Sequence, residues 1–546
     1  MGDAGLSSIS LQTFFDTQAF HTNFLRLIVD NQHKGCTNQP RTTIYGPCTH
    51  GSDNASVFFN GSVPDVVPFS TGPYGDGVGS VDWQAAFVMI ARAMLRSYGE
   101  RAVPILTEVW PSLQAFVGYL DRQLDAQTGL LLTGARGDWV PPDGQPYSTP
   151  AAEVSAFTHL LCMAYMAEIG EAVGDSEASA DYKRRVNAGR AAYHAHFFND
   201  LPGGMDLVTS DQGVADSGRE GMRGSATRPA RRCCYGLGSQ TSNIFALYIG
   251  ATPTSLINRT ATALAQAIAN RTAGGDATGG GPPFGPGPHL DIGIFGTTWV
   301  FETLQLVGLD ALALDILNEA TYPSFGYMTG QGATTLWEGW SGDEHTIGAS
   351  SSRNHIMFGG GVARFLLAAV GGIATDTSPL APLETAGWRR VLIRPVPAAI
   401  RALGAADAAR STALGDVNVS WRLQQPADDG ATDNPAASAT LVMNVSLPVG
   451  ANGVAELPLL LRVSPLSQTD EQGRNVAARV VIGDCELMCA LGSSAAPSAD
   501  GRCSELWASA RCDVRQDGEM VLRLDLPSGQ HSIAVHQAVT KTGMSS

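Results

Sequence analysis

The hydrophobic period of this chain changes once, and the change divides it. Trp83, Phe87, Ile90, Met94 and Tyr98 recur at steps of three and four residues, and Leu106, Val109, Trp110, Leu113, Phe116 and Leu120 repeat the pattern on the next segment. Each set makes one apolar stripe on a helix. Similar stripes run through 11–28, 151–169, 182–197, 239–249, 256–269, 297–307, 309–317 and 354–369. About ten helices in succession with no intervening strands predict helical hairpins packed on one another. After residue 387 the apolar runs become short, rich in Val, Leu and Ile and separated by Gly, Pro, Asp and Asn, at 388–393, 417–423, 439–447, 454–461, 477–482, 520–526 and 532–536. They predict an antiparallel β domain in the form of a sandwich. The expected organisation is a helical domain over 1–373, a linker over 374–387 and a β domain over 388–546.

Three insertions, 33–61, 201–237 and 272–288, are poor in large apolar side chains and are expected to be mobile loops. The remainder is globular in composition, with 44% hydrophobic and 16% charged residues, so sizeable cores are available. A net charge of -16 argues against a nucleic-acid partner, which needs a clustered positive field. The one basic run, 219–232, falls in an insertion and reads as a solvated loop. No run of about eighteen apolar residues predicts a membrane span. The N-terminal sequence has neither the basic nor the apolar region of a signal peptide, and Leu6 stands where a myristoylation signal wants Ser or Thr.

Six Asn-x-Ser/Thr sequons, at Asn54, Asn60, Asn258, Asn270, Asn418 and Asn444, would permit glycosylation, so the expected location is secreted or the lumen of a secretory compartment. The cysteines agree. Cys485, Cys489, Cys503 and Cys512 crowd one stretch and are expected to form two disulfides, with Cys36 paired to Cys48. Zinc is the competing reading, but the spacing Cys-x3-Cys-x13-Cys-x8-Cys matches no finger or ribbon and no His stands at ligand spacing. No metal or other cofactor is expected.

The motifs of zinc proteolysis, α/β-hydrolase chemistry and P-loop phosphoryl transfer are missing. What remains is acidic and aromatic. The stretch 321–342, TYPSFGYMTGQGATTLWEGWSG, sets Glu338 between Trp337 and Trp340, and SSRNHIMFGGG follows with His355. A pyranose offers C–H faces for indoles and hydroxyls for carboxylates and imidazoles, so this is the outline of a sugar subsite. A half-buried packing feature is the plainer reading. Asp3, Asp65, Asp138 and Trp139 in GDWVPP are further candidates, although each acid could be a cap or turn residue, and His355 and Trp83 could be packing residues.

Taken together these motifs resemble the α-L-rhamnosidases of glycoside hydrolase family 78. The resemblance runs from Met1 to about Val419 through MGDAGLS, NGSVPDVVPF, the Trp83 helix, RGDWVPP, YGLGSQTSN, HLDIGIFGT, TYPSFGYMTGQGATTLWEGW and SSRNHIMFGGG. It implies an (α/α)6 barrel followed by an antiparallel β-sandwich, in agreement with the periodicity, and inverting hydrolysis of terminal α-L-rhamnose from a carbohydrate or rhamnosylated small molecule. It implies Glu338 as the general base, Asp3 and His355 as sugar contacts, and Asp138, Trp139, Trp337 and Trp340 as subsite walls. In the family the general acid belongs to an Asp-Glu-Arg-Leu-Gly-Trp type segment just before the sequence matched by MGDA, so the acid is expected upstream of Met1, as are the family's N-terminal β domains. A non-catalytic sugar-binding protein and another (α/α)6 glycosidase are the competing readings.

Overall fold

A computed structural model of the protein describes residues 1–32, 60–68, 79–142, 149–199, 234–269, 285–342, 352–424, 439–462, 476–490, 496–497, 508–514 and 519–539. Its helices are α1 (Gly2–Phe14), α2 (Gln18–Asn31), α3 (Val81–Gln84), α4 (Ala86–Tyr98), α5 (Val103–Asp121), α6 (Ala151–Ala172), α7 (Ser176–Phe197), α8 (Gln240–Tyr248), α9 (Ile257–Ala269), α10 (Ile294–Leu306), α11 (Asp310–Asn318), α12 (Phe325–Gly330), α13 (Gly359–Phe365) and α14 (Pro397–Leu403). Six of them close a ring: α1 packs on α4, α4 on α6, α6 on α8, α8 on α10, α10 on α13, and α13 back on α1. Outside it, α2 lies on α4, α5 and α7 lie on α6, α9 on α8, and α11 on α10.

Burial follows from that placement. An inner helix is covered on all sides and must be apolar or small around its whole circumference; an outer one needs a single stripe. Thus α6 is buried continuously from Glu153 to Gly170, whereas its hairpin partner α7 buries only Ser179, Tyr182, Val186, Tyr193 and Phe197. The triple glycine at the start of α13 has a packing reason. A Cβ on Gly360 would stand 2.8 Å from Leu6 O, and one on Gly361 2.8 Å from Thr297 O, so only bare backbone fits between α1 and α10.

The C-terminal domain is a sandwich of two sheets around a second core that includes Val417, Trp421, Leu441, Met443, Leu457, Leu522, Leu524 and Ile533. Its strands are β1 (Ile373–Ala374), β2 (Arg390–Ile393), β3 (Ala405–Thr412), β4 (Gly415–Gln424), β5 (Thr440–Leu447), β6 (Asn452–Arg462), β7 (Val476–Ile482), β8 (Cys485–Ala490), β9 (Ala496–Pro497), β10 (Arg511–Val514), β11 (Glu519–Leu526) and β12 (Gly529–Val539). One sheet has the order β1-β2-β6-β11-β10, the other β3-β4-β5-β12-β7-β8-β9. Alternate residues Leu441, Met443, Val445 and Leu447 of β5 face the core, the period of two expected of a half-covered sheet.

Several expectations need correction. The stripe at 11–28 is two helices broken at Phe15–Thr17, which apolar spacing alone did not mark. The helix expected over 354–369 starts at Gly359, because His355 belongs to the loop before it and a short 3-10 turn intervenes. The sheets are antiparallel except where β2 runs parallel to β6. Strands β3, β8 and β10 went unread, being poor in β-branched and aromatic residues or short. The segment 374–387 is tied down over most of its length. Arg92 donates to Thr377 O (2.8 Å) and Ser378 O (3.0 Å), Arg96 to Ala381 O (2.6 Å) and Pro382 O (3.1 Å), and Leu380 N to Glu168 Oε1 (3.0 Å). The expected loops fall mainly, and Cys36, Cys48, Cys503, Asn54, Asn270 and the run 219–232 wholly, outside the described residues. Cys489 is bonded to Cys512, and Cys485 is also in a disulfide, as is Cys234, for which no pairing was anticipated.

Candidate active site

The candidate residues gather where the inner helices begin. Asp3 lies exposed in the first turn of α1, one residue from Gly2, whose added Cβ would stand 2.8 Å from the Trp83 ring. Trp83 and Trp139, both half-buried, meet edge to face with centroids 5.6 Å apart, and Phe295 backs Trp83 at 5.7 Å. An aromatic pair of this kind leaves apolar ring surface at a polar rim, which suits the C–H face of a sugar.

The cation that braces this pair was not anticipated. The Arg136 guanidinium lies 5.4 Å from the Trp83 ring and 6.0 Å from Trp139, and donates to Asp65 Oδ2 at 2.5 Å and Ser80 Oγ at 3.1 Å. Asp65 also accepts from Ser80 N (2.7 Å). Asp65 is therefore an ion-pair anchor, and a basic residue directly before Gly-Asp-Trp was the available signal. Beneath them Asp82 accepts from Arg136 N (2.8 Å) and Trp83 N (3.2 Å), and burial pushes its carboxyl up to about 7 against those bonds.

Asp138 is 2% exposed and works from below. Its Oδ2 accepts from Gly293 N (2.8 Å) and Thr241 Oγ1 (2.5 Å), and its Oδ1 from Gly296 N (3.1 Å), so it caps the start of α10 and ties α8 to it. Burial raises its pKa against these three donors. The cap fixes its neighbour, because Trp139 O accepts from Ile294 N at 2.9 Å. Trp340, also 2% exposed, donates from Nε1 to Ile292 O (2.8 Å) and packs on Phe325 and Phe358. Ile292 and Gly293 thus join the Trp139 loop to the Glu338 loop.

Glu338 and His355 come together. The backbone of 336–338 runs beside 352–355, with Glu338 N donating to Ser352 O (2.8 Å) and His355 N to Leu336 O (2.7 Å). That pairing brings His355 Nε2 to 3.8 Å from Glu338 Oε2, while Ser352 N donates to the same carboxylate oxygen at 3.0 Å. The Glu338 side chain remains 18% exposed and that of His355 24%. Trp337 is 6% exposed, under the Arg353 guanidinium at 5.5 Å. The result is a carboxylate with one oxygen fixed, part of its surface open to solvent, and an imidazole alongside.

Residues 1–370 match the family model described as the bacterial alpha-L-rhamnosidase 6 hairpin glycosidase domain. The chain belongs to this family. Among curated relatives, the alpha-L-rhamnosidase of Streptomyces avermitilis is 26% identical over 372 residues, covering 66% of this chain and 29% of its own length. That of an Alteromonas species is 23% identical over 404 residues, covering 71% of this chain and 36% of its own. The chain thus spans about a third of these curated relatives. Two solved structures share the fold across 98% of this chain. They are the alpha-L-rhamnosidase of Dictyoglumus thermophilum (TM-score 0.65, 23% identity, 46% of that chain) and the S. avermitilis enzyme complexed with L-rhamnose (TM-score 0.62, 20% identity, 38% of that chain). The likeness carries the barrel and the sandwich together.

Proposed function

We propose that this chain is the catalytic part of an α-L-rhamnosidase that removes terminal α-L-rhamnose with inversion, and that Glu338 is the general base. The observation that carries the reading is the Glu338–His355 pair, a partly open carboxylate held 3.8 Å from an imidazole in a member of this family. A carboxylate accepting a single backbone N–H keeps acceptor capacity for a water and can take its proton as that water attacks the anomeric carbon. His355, alongside the carboxylate and partly exposed, would hydrogen-bond a sugar hydroxyl. Trp83 and Trp139 form the apolar wall, with Arg136 and Asp138 fixing their positions from behind.

Inversion needs a second carboxyl, protonated and roughly 6.5–9.5 Å from the base, to donate to the leaving oxygen. The experiment is kinetics on aryl α-L-rhamnosides and a natural rhamnoside, with the product anomer followed by proton NMR. β-L-rhamnose as first product is expected; the α anomer, or preference for an aryl glucoside or fucoside, would overturn the reading.

We also propose an oxidising, secretory or extracellular location. The support is the Cys489–Cys512 disulfide, the bonded Cys485, and exposed asparagines at the four described sequons, Asn60, Asn258, Asn418 and Asn444. Mass spectrometry of the protein from its native source, showing unmodified asparagines and free thiols, would contradict it.

A further inference from the structure

At the other end of the inner helices lies a second, separate cavity. The last turns of α1, α4, α10 and α13 and the edge of the sandwich line a partly open cavity of about 230 Å³, well above what a single water needs. Arginines 92, 96, 364, 394 and 410 line it. Their sign suits the place, because the C-terminal ends of helices present carbonyls and the negative ends of their dipoles.

Four of these arginines have carboxylate partners. Arg92 and Arg96 share Glu168, Arg364 meets Glu302, and Arg394 reaches Glu456 at 3.6 Å. Arg410 has none. One of its Nη atoms donates to Gln12 O, its Nε has no acceptor, it is 9% exposed, and its guanidinium lies 5.3 Å from the Trp388 ring. Gln12, 2% exposed, has an unpartnered Oε1, and Gln305 an unpartnered Nε2. The remaining carboxylate on the wall, Asp376, is turned to Ser378, whose N and Oγ donate to it at 3.0 and 2.6 Å. A buried guanidinium without a counter-ion is expensive, and so are buried donors and acceptors without partners.

We propose that this junction cavity binds a small organic hydroxycarboxylate, its carboxylate pairing with Arg410, its second polar group meeting Gln12 and Gln305, and its carbon skeleton lying on Trp388. The occupant bridges the barrel, through Gln12 and Gln305, and the sandwich side, through Trp388 and Arg410. It therefore stabilises their junction independently of the sugar site.

The test is thermal unfolding of the 546-residue chain with malate, inorganic phosphate or chloride at matched ionic strength. Malate is expected to raise Tm by a few degrees when present at about a hundredfold its Kd, the shift growing with the logarithm of its concentration, with phosphate and chloride giving only the ionic-strength background. Arg410→Gln abolishes the malate shift, Gln305→Leu weakens malate affinity about tenfold with an unchanged circular-dichroism spectrum, and Glu338→Gln retains the shift. If Arg410→Gln fails to fold, Gln305→Leu decides. No shift above the ionic-strength background by on the order of 10 mM malate, equal shifts with malate and phosphate, a shift lost in Glu338→Gln, or unchanged affinity in Gln305→Leu would overturn the proposal.

Discussion

Asp138 separates two roles that a sequence motif cannot. If it caps α10 from beneath the surface, Asp138→Ala leaves Gly293 N, Gly296 N and Thr241 Oγ1 without their acceptor. The threonine hydroxyl can turn to another acceptor, but the two backbone N–H groups are fixed by the helix. Unsatisfied buried donors cost about 1–3 kcal/mol each, so the gross loss is ~2–6 kcal/mol. Burial already holds this carboxyl above its usual range, and removing the charge returns part of that. A net loss of about 3 kcal/mol is expected, and about 1–2 kcal/mol for Asp138→Asn, which keeps one carbonyl oxygen and turns an NH2 toward a donor. The assay is the urea midpoint together with KM on an aryl α-L-rhamnoside, since losing the cap frees Trp139, whose carbonyl is held by Ile294 N. Stability and KM should deteriorate together. A large rise in KM with an unchanged urea midpoint would place Asp138 on the substrate and refute the argument.

Glu338→Gln should lower kcat by about 10²- to 10⁴-fold with little change in KM, and equal turnover by variant and wild type would move the base elsewhere. Removing the proton donor should slow natural rhamnosides far more than activated aryl ones, because a good leaving group needs little protonation; equal losses on both would show that proton donation does not limit the reaction. Asp82 and Glu153 are both pushed up to about 7 by burial, from ordinary values of 3.8 and 4.5. Between about pH 4 and 7 the folded state therefore holds protons that the unfolded chain has released, and stability should fall as pH rises through that window, by about 1.4 kcal/mol per pH unit for each group at most. Asp82→Asn and Glu153→Gln should flatten the slope of urea midpoint against pH, and variants whose slope equals the wild type's would count against these shifts. Glu168 is 2% exposed between Arg92 and Arg96, so Glu168→Gln should cost about 3–5 kcal/mol and loosen residues 377–385, read as faster amide exchange there. Unchanged exchange at Leu380 would show that the strap is held by other contacts.

The sequence by itself determined the two architectures and their order, because burying a helix and burying a strand impose different periods on apolar residues, and those periods are written locally. It also singled out the candidate residues, since Trp-Glu-x-Trp, Gly-Asp-Trp and Asn-His are short segments whose chemistry is carried by adjacent residues. Inner and outer helices were less legible: α6 and α7 both hold apolar stripes, and only closure of the ring shows which is covered on every side. The tertiary structure alone decided partners distant in sequence. Arg136 reaches Asp65, Asp138 reaches Gly293, Trp340 reaches Ile292, and Arg410 reaches Gln12 across 398 residues. It likewise decided that Asp138 and Trp340 are buried while Trp83 and Trp139 keep part of their surface exposed. Residue type sets what a side chain can bond to, but burial and the choice of partner arise only when separate segments are brought to one place by the packing of the whole barrel.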